Sequence, residues 1–171
     1  VQGGALPERG APNSVRSEAG PPMASSSKAS GALAAKIDSV CTSLLKNAAT
    51  WSVRLKDLEA LQGIIADHQA KSSVWTRDVQ KRLFDPLELQ IRDLRSSIVR
   101  EATKVLQIFA EKAGDSVRPL FRMLLPALTE LLGCTNKVIG DYITECFSVI
   151  VKYIHLRGIV PKLADLGHSS R

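Results

Sequence analysis

From residue 31 onward, apolar residues recur at spacings of three and four, which places them on one face of a helix. The spacing predicts helices over about 31–47, 52–69, 76–93, 96–113, 115–132 and 136–155, and a seventh helix that begins near residue 157. Alternating apolar and polar residues, and the Asn-Gly or Asp-Gly turns of β-hairpins, are absent from the sequence. The pattern therefore predicts an all-α chain.

The predicted helices repeat in pairs. Similar apolar positions in the second, fourth and sixth helices, at Leu61, Leu106 and Phe147, stand 45 and then 41 residues apart. A period of about 40 to 47 residues with two helices per unit is typical of HEAT and armadillo repeats. The sequence therefore favours a HEAT-like α-solenoid of antiparallel helix pairs. An ordinary helical bundle with coincidental spacing is the alternative.

The first thirty residues have a different composition from the rest of the chain. Residues 1–30 are mostly Gly, Pro, Ser and Ala, and they cannot bury enough apolar surface to offset their ordering entropy. We expect a disordered tail over 1–30 and a folded domain over 31–171. Mean hydropathy is only +0.01 and no apolar run approaches the length of a membrane span, so we expect no membrane insertion and a place in the cytoplasm.

The net positive charge of the chain indicates which classes of partner it would bind. The net charge is +6, and residues 1–32 carry three Lys or Arg against two Asp or Glu, so five of the six excess positive charges belong to the predicted domain. A basic surface favours nucleic acid, anionic lipid or an acidic protein.

Sequence signals of catalysis are missing. There is no Gly-rich phosphate loop and no HExxH motif, the three histidines stand alone, and the three cysteines show no CxxC spacing. We therefore expect no enzyme, no cofactor, no metal site and no small-molecule substrate.

The short turns within the helix pairs are the candidate site, because a solenoid brings such turns to one edge. The first turn holds Trp51 and then Arg54, the second Arg95 with Ser96 and Ser97, the third Asn136 with Lys137, and a fourth would include Arg171. The edge would offer an aromatic ring followed by a cation at each level. Two ordinary explanations compete, because turns are often charged and a Trp at a helix start often packs on its own helix.

Two segments resemble the TOG domain of the CLASP family. They are WSVRLKDLEAL at 51–61 and RDLRSSIVREA at 92–102. The resemblance implies a flat HEAT-repeat paddle that binds tubulin through its intra-repeat turns and stabilises microtubules. It matches Trp51 to the family's first-turn Trp, which packs on tubulin, and Arg95 with Ser96 and Ser97 to the second turn. It matches Lys137, with the neighbouring Asn136, to the third turn and Arg171 to the fourth.

The resemblance also sets the expected extent and location of the domain. A complete TOG domain has six repeats, and this chain supplies about three and a half. The implied location is the microtubule cytoskeleton, with the spindle and the cilium as particular settings.

Two other functions stay open. A HEAT-repeat scaffold would bind a peptide or helix on the face formed by the second helix of each pair, for example at Lys104 and Lys152. Charge-driven, non-specific nucleic-acid binding lacks the interleaved aromatic and basic residues typical of that function.

Overall fold

The structure, a computed structural model, describes residues 25–46, 50–68 and 74–156, with side chains from residue 31 onward. These residues form six α-helices and one short 3₁₀ helix, and no strand occurs among them. The α-helices are α1 (Ser25–Lys46), α2 (Trp51–Asp67), α3 (Arg77–Ile91), α4 (Ser96–Ala113), α5 (Arg118–Leu132) and α6 (Lys137–Tyr153), and the 3₁₀ helix is Gly114–Val117. The all-α prediction is confirmed.

The six helices stack as three antiparallel pairs in two layers. Each pair (α1 with α2, α3 with α4, α5 with α6) packs along its length. The first helices α1, α3 and α5 lie side by side in one layer, and α2, α4 and α6 form the other. The main contacts between pairs therefore join neighbouring pairs, as in a HEAT-like solenoid and unlike a closed bundle.

One continuous apolar core lies between the layers. Leu58, Leu106 and Phe121 are among its fully buried members, and each side chain of this kind stabilises the fold by about 1.5–3 kcal/mol. Trp75, just before α3, is also buried and packs edge-on against Phe109, with 4.6 Å between ring centroids. The two tryptophans of the chain thus have opposite environments, because Trp51 is exposed.

Most helix bounds agree with the sequence pattern, and α4 coincides with its predicted span. Helix α1 begins at Ser25, six residues before its predicted start, so the expected tail over 1–30 is wrong for 25–30. Apolar periodicity could not show this extension, because residues 25–32 are rich in Ser and Ala and lack large apolar side chains. The predicted disorder of residues 1–24 and the seventh helix near residue 157 lie outside the described residues.

The predicted fifth helix, 115–132, divides in two. Residues Gly114–Val117 form the 3₁₀ helix, and α5 begins only at Arg118 with Pro119 in its first turn. Asp115, in the 3₁₀ helix, accepts hydrogen bonds from the backbone N–H of His155 at 2.8 Å and from its ring Nδ1 at 2.9 Å. The same carboxylate pairs with the Arg118 side chain at 2.7 Å, so Asp115 joins the start of α5 to the segment after α6 and does not cap the backbone of α5.

None of the helices described here combines the length and the apolar character needed to cross a membrane.

Candidate functional site

The turns within the helix pairs lie along one edge of the solenoid, which we call the turn edge. Its described residues are Thr50–Trp51 in the first turn, Arg92–Arg95 in the second and Gly133–Asn136 in the third. Helices α2, α4 and α6 all begin at this edge, so three helix N-termini place partial positive charge there. The helix N-termini and the basic side chains therefore place positive charge at the same edge.

Two ion pairs join successive turns. Arg54 Nη1 lies 2.7 Å from Asp93 Oδ2, which links the start of α2 to the second turn. Arg92 Nη1 lies 2.7 Å from Glu130 Oε2, which links the second turn to the last turn of α5. The first pair is buried and the second is exposed, and together they bridge the three turns.

The structure corrects the expectation that Arg54 contacts a partner. Its side chain is only 2% exposed, and its Nη1 also donates to Gln90 Oε1 at 2.9 Å. Arg54 is a buried guanidinium that positions the second turn. The sequence could not show this, because an Arg three residues into a helix faces either solvent or the neighbouring pair depending on how the pairs stack.

Trp51 is an exposed aromatic residue in the first turn of the edge. It is the first residue of α2 and 51% exposed, so its indole is not packed away in the core. Seven large apolar side chains are exposed within the described chain, and five of them lie in or beside the turns. These five are Leu45, Trp51, Leu89, Leu94 and Val138. Exposed apolar groups concentrated in this way are typical of an interaction surface.

Leu94 is the edge residue that sequence reasoning missed. It is 92% exposed at the tip of the second turn, between Asp93 and Arg95. The sequence could have predicted this exposure, because Leu94 stands between two charged residues in a four-residue turn and belongs to no apolar helix face.

The second turn presents Arg95 on a rigid loop. The backbone N–H of Arg95 donates to Asp93 Oδ1 at 2.7 Å, and its guanidinium is 55% exposed and 3.8 Å from the same carboxylate oxygen. Because the stronger pair of Asp93 is with Arg54, most of the Arg95 charge stays available to solvent. Ser96 and Ser97 begin α4 and are half-buried beside it.

In the third turn, Asn136 is a helix cap and Lys137 is an exposed cation. The Asn136 side-chain oxygen accepts from the backbone N–H groups of Val138 and Ile139 at 3.1 and 3.3 Å, so Asn136 caps α6. Lys137 is exposed and pairs with no carboxylate of the described residues. Arg171, the candidate of the fourth turn, lies outside the described residues.

Across the described segments, no group of His, Cys, Asp and Glu side chains is arranged to hold a metal ion. Burial raises the pKa of the Cys41 and Cys146 thiols to about 12, so both stay protonated at neutral pH. What the edge offers is an indole, exposed aliphatic groups and cations.

Comparison with known proteins decides the family. The family model described as CLASP N terminal matches residues 33–162. The chain belongs to the CLASP family. The match covers the three described turns of the edge and ends before Arg171.

Individual relatives agree with this assignment. Protein CLASP-1 of Caenorhabditis elegans is 33% identical over 129 residues, covering 74% of this chain and 9% of that protein. Protein CLASP-2 of Caenorhabditis briggsae is 29% identical, covering 72% of this chain and 16% of the relative. The CLIP-associated protein of Arabidopsis thaliana is 24% identical, with 71% of this chain and 8% of the relative covered. This CLASP-family chain therefore spans a small part, between 8% and 16%, of these curated relatives.

Proposed function

We propose that this CLASP-family chain is a non-enzymatic tubulin-binding module that contacts tubulin through the turn edge. The proposal places it on microtubules, as part of a protein that stabilises them. One observation carries the proposal: the exposed indole of Trp51, Leu94 and the exposed cations Arg95 and Lys137 lie on three successive turns of a single edge. Arg54 contributes by holding the first two turns together.

The cations and Trp51 of the turn edge should contribute to binding in different ways. Tubulin is strongly acidic, so exposed cations speed encounter and make binding sensitive to salt. Each exposed charge pair contributes only about 0.2–1 kcal/mol. A desolvated Trp anchor can contribute about 2 kcal/mol or more, so Trp51 carries more affinity than any single cation.

The scaffold alternative has less support from the structure. The Lys104 ammonium lies 3.0 Å from Glu101 Oε1, and the Lys152 ammonium stacks on the Tyr153 ring at 5.0 Å from its centroid. These two cations of the second-helix face are thus engaged within the chain. Two cations of the turn edge are freer: the Arg95 guanidinium lies 3.8 Å from its nearest paired carboxylate oxygen, and Lys137 pairs with no carboxylate of the described residues.

Co-elution with unpolymerised tubulin at low salt tests the proposal. We expect the wild-type chain to co-elute and a Trp51→Glu variant to elute alone, because the new carboxylate replaces the anchor and repels tubulin. Val151→Glu is the matched control, since it adds the same charge at a residue of α6 that is exposed to the same degree. Equal co-elution of wild type and Trp51→Glu would refute the proposed site.

A further inference from the structure

A second basic surface lies in a groove between α3 and α5. The groove has a volume of about 290 Å³ and is lined by four cations, Arg77 and Lys81 from α3 and Arg118 and Arg122 from α5. It lies at the N-terminal ends of these helices. Lys81 is ten residues from the end of α3 at Ile91, about 15 Å along the helix from the turn edge.

The four cations occupy positions that helix electrostatics disfavours. Arg77 and Lys81 form one like-charged pair four residues apart, and Arg118 and Arg122 form another on the facing helix. Such pairs repel, and cations in the first turns of a helix oppose its dipole. Arg118 is partly neutralised by Asp115, with Nη2 at 2.7 Å from Oδ2, but the other three form no ion pair with the described residues. An anionic ligand in the groove would relieve this repulsion.

The groove is held open by a buried amide. Gln80 is 2% exposed; its Nε2 donates to the carbonyl groups of Trp75 at 2.7 Å and Ser116 at 3.0 Å, and its Oε1 accepts from Leu120 N–H at 3.1 Å. These bonds tie the first turn of α3 to the first turn of α5. The groove is thus preformed, which lowers the entropic cost of binding.

We propose that this groove binds an acidic linear peptide of a partner protein, with carboxylates on the four cations and an apolar side chain against Pro119 and Met123. Arginine guanidinium groups bind carboxylates in bidentate fashion, and the mixed lining suits an apolar residue flanked by acidic ones. The volume lies just below the usual range for small-molecule sites, about 300–1,000 Å³, and suits a few side chains. A membrane surface fits less well, because none of the seven exposed large apolar side chains of the described chain lines the groove.

This proposal is independent of tubulin binding at the turn edge, and two charge-matched variants separate them. The groove variant is Lys81→Glu with Arg122→Glu, and the edge variant is Arg95→Glu with Lys137→Glu. Each changes the net charge equally. The probe is a fluorescein-labelled peptide in which one leucine is flanked by three glutamates on each side, titrated with the 171-residue chain and followed by anisotropy.

We expect the groove variant to weaken peptide binding at least tenfold and the edge variant by less than twofold. Tubulin co-elution should show the reverse. The groove variant should also melt at the same temperature as wild type or higher, because it removes like-charge repulsion, so lost binding cannot be attributed to unfolding.

Three results would overturn the groove proposal. The first is that the peptide does not bind wild type. The second is that both variants weaken peptide binding equally, which would mean that net charge and not the groove is responsible for binding. The third is binding only to a phosphoserine version of the peptide or only to vesicles containing phosphatidylserine, which assigns the groove to another ligand. If the groove proposal fails in one of these ways and the edge variant still loses tubulin binding, the proposed tubulin site on the turn edge stands.

Discussion

A single buried guanidinium connects the first two turns of the edge. The Arg54 side chain extends from α2 and is buried against the second turn, where its partner Asp93 is only 12% exposed. Asp93 also accepts the Arg95 backbone N–H, so the geometry of the second turn depends on a residue 39 positions earlier. The sequence predicted Arg54 at a binding surface, whereas the side chain is buried, because burial of a charged residue depends on its partner in another repeat.

We expect Arg54→Ala to lower the free energy of unfolding by about 3 kcal/mol or more, because it leaves the Asp93 carboxylate buried without its cation. Arg95→Ala is the control and should change it by no more than about 0.5 kcal/mol, since that side chain is exposed. Urea unfolding followed by circular dichroism measures both. An Arg54→Ala variant as stable as Arg95→Ala would show that the ion pair is not structural.

Glu101 makes the contact between the first and second pairs dependent on pH. It is buried, accepts from Gln62 Nε2 at 3.0 Å and pairs with Arg100 and Lys104. Burial acts to raise the pKa of Glu101, but the hydrogen bonds from Gln62, Lys104 and Arg100 outweigh it and hold the pKa below its usual value of 4.5. A carboxyl with a lowered pKa in the folded state stabilises the fold above pH 4.5, and this stabilisation is lost as the pH falls below that value.

Glu101→Gln should therefore flatten the decline of melting temperature on acidification below pH 4.5, and should lower the melting temperature at pH 7. Thermal melts of both proteins from pH 7 to pH 3 measure this. Parallel curves for the two proteins would exclude Glu101 as a source of the acid sensitivity.

At the scale of the element, apolar periodicity predicted the existence of α1–α6 because each helix buries one stripe in the core. Their ends were less predictable. Asp115 looks like a helix cap in sequence, yet its partners are Arg118 and His155, and the second is 40 residues away. The edge itself was predictable from the pairing of helices, whereas the exposure of Leu94 and the groove between α3 and α5 depend on packing between pairs.

The junction between α4 and the 3₁₀ helix requires a glycine. Gly114 has φ of 51°, a conformation that other residues adopt only with strain. Gly114→Ala should destabilise the domain by about 1–3 kcal/mol. Gly63→Ala, in the middle of α2 where a Cβ meets open space, should instead stabilise it by about 1 kcal/mol. Chemical denaturation of the two variants checks the opposite signs, and a shift in the same direction would contradict this reading of Gly114.

At the scale of the whole molecule, two groups of cations, one on the turn edge and one in the α3–α5 groove, lie toward opposite ends of α3. Arg95→Ala combined with Lys137→Ala should weaken tubulin binding several-fold at low salt and make the affinity less dependent on salt, because two exposed charges leave the interface. Lys104→Ala combined with Lys152→Ala removes the same charge from the second-helix face and should follow wild type. Equal flattening by both pairs would assign the salt dependence to net charge.

The most direct test of the central claim is hydrogen–deuterium exchange of the chain with and without unpolymerised tubulin. We expect tubulin to slow exchange at the start of α2 and over residues 92–97 and 134–139, and to leave the solvent-facing side of α4 and α6 unchanged. Protection confined to that helix face, with the three turns exchanging as fast as in the free chain, would contradict it.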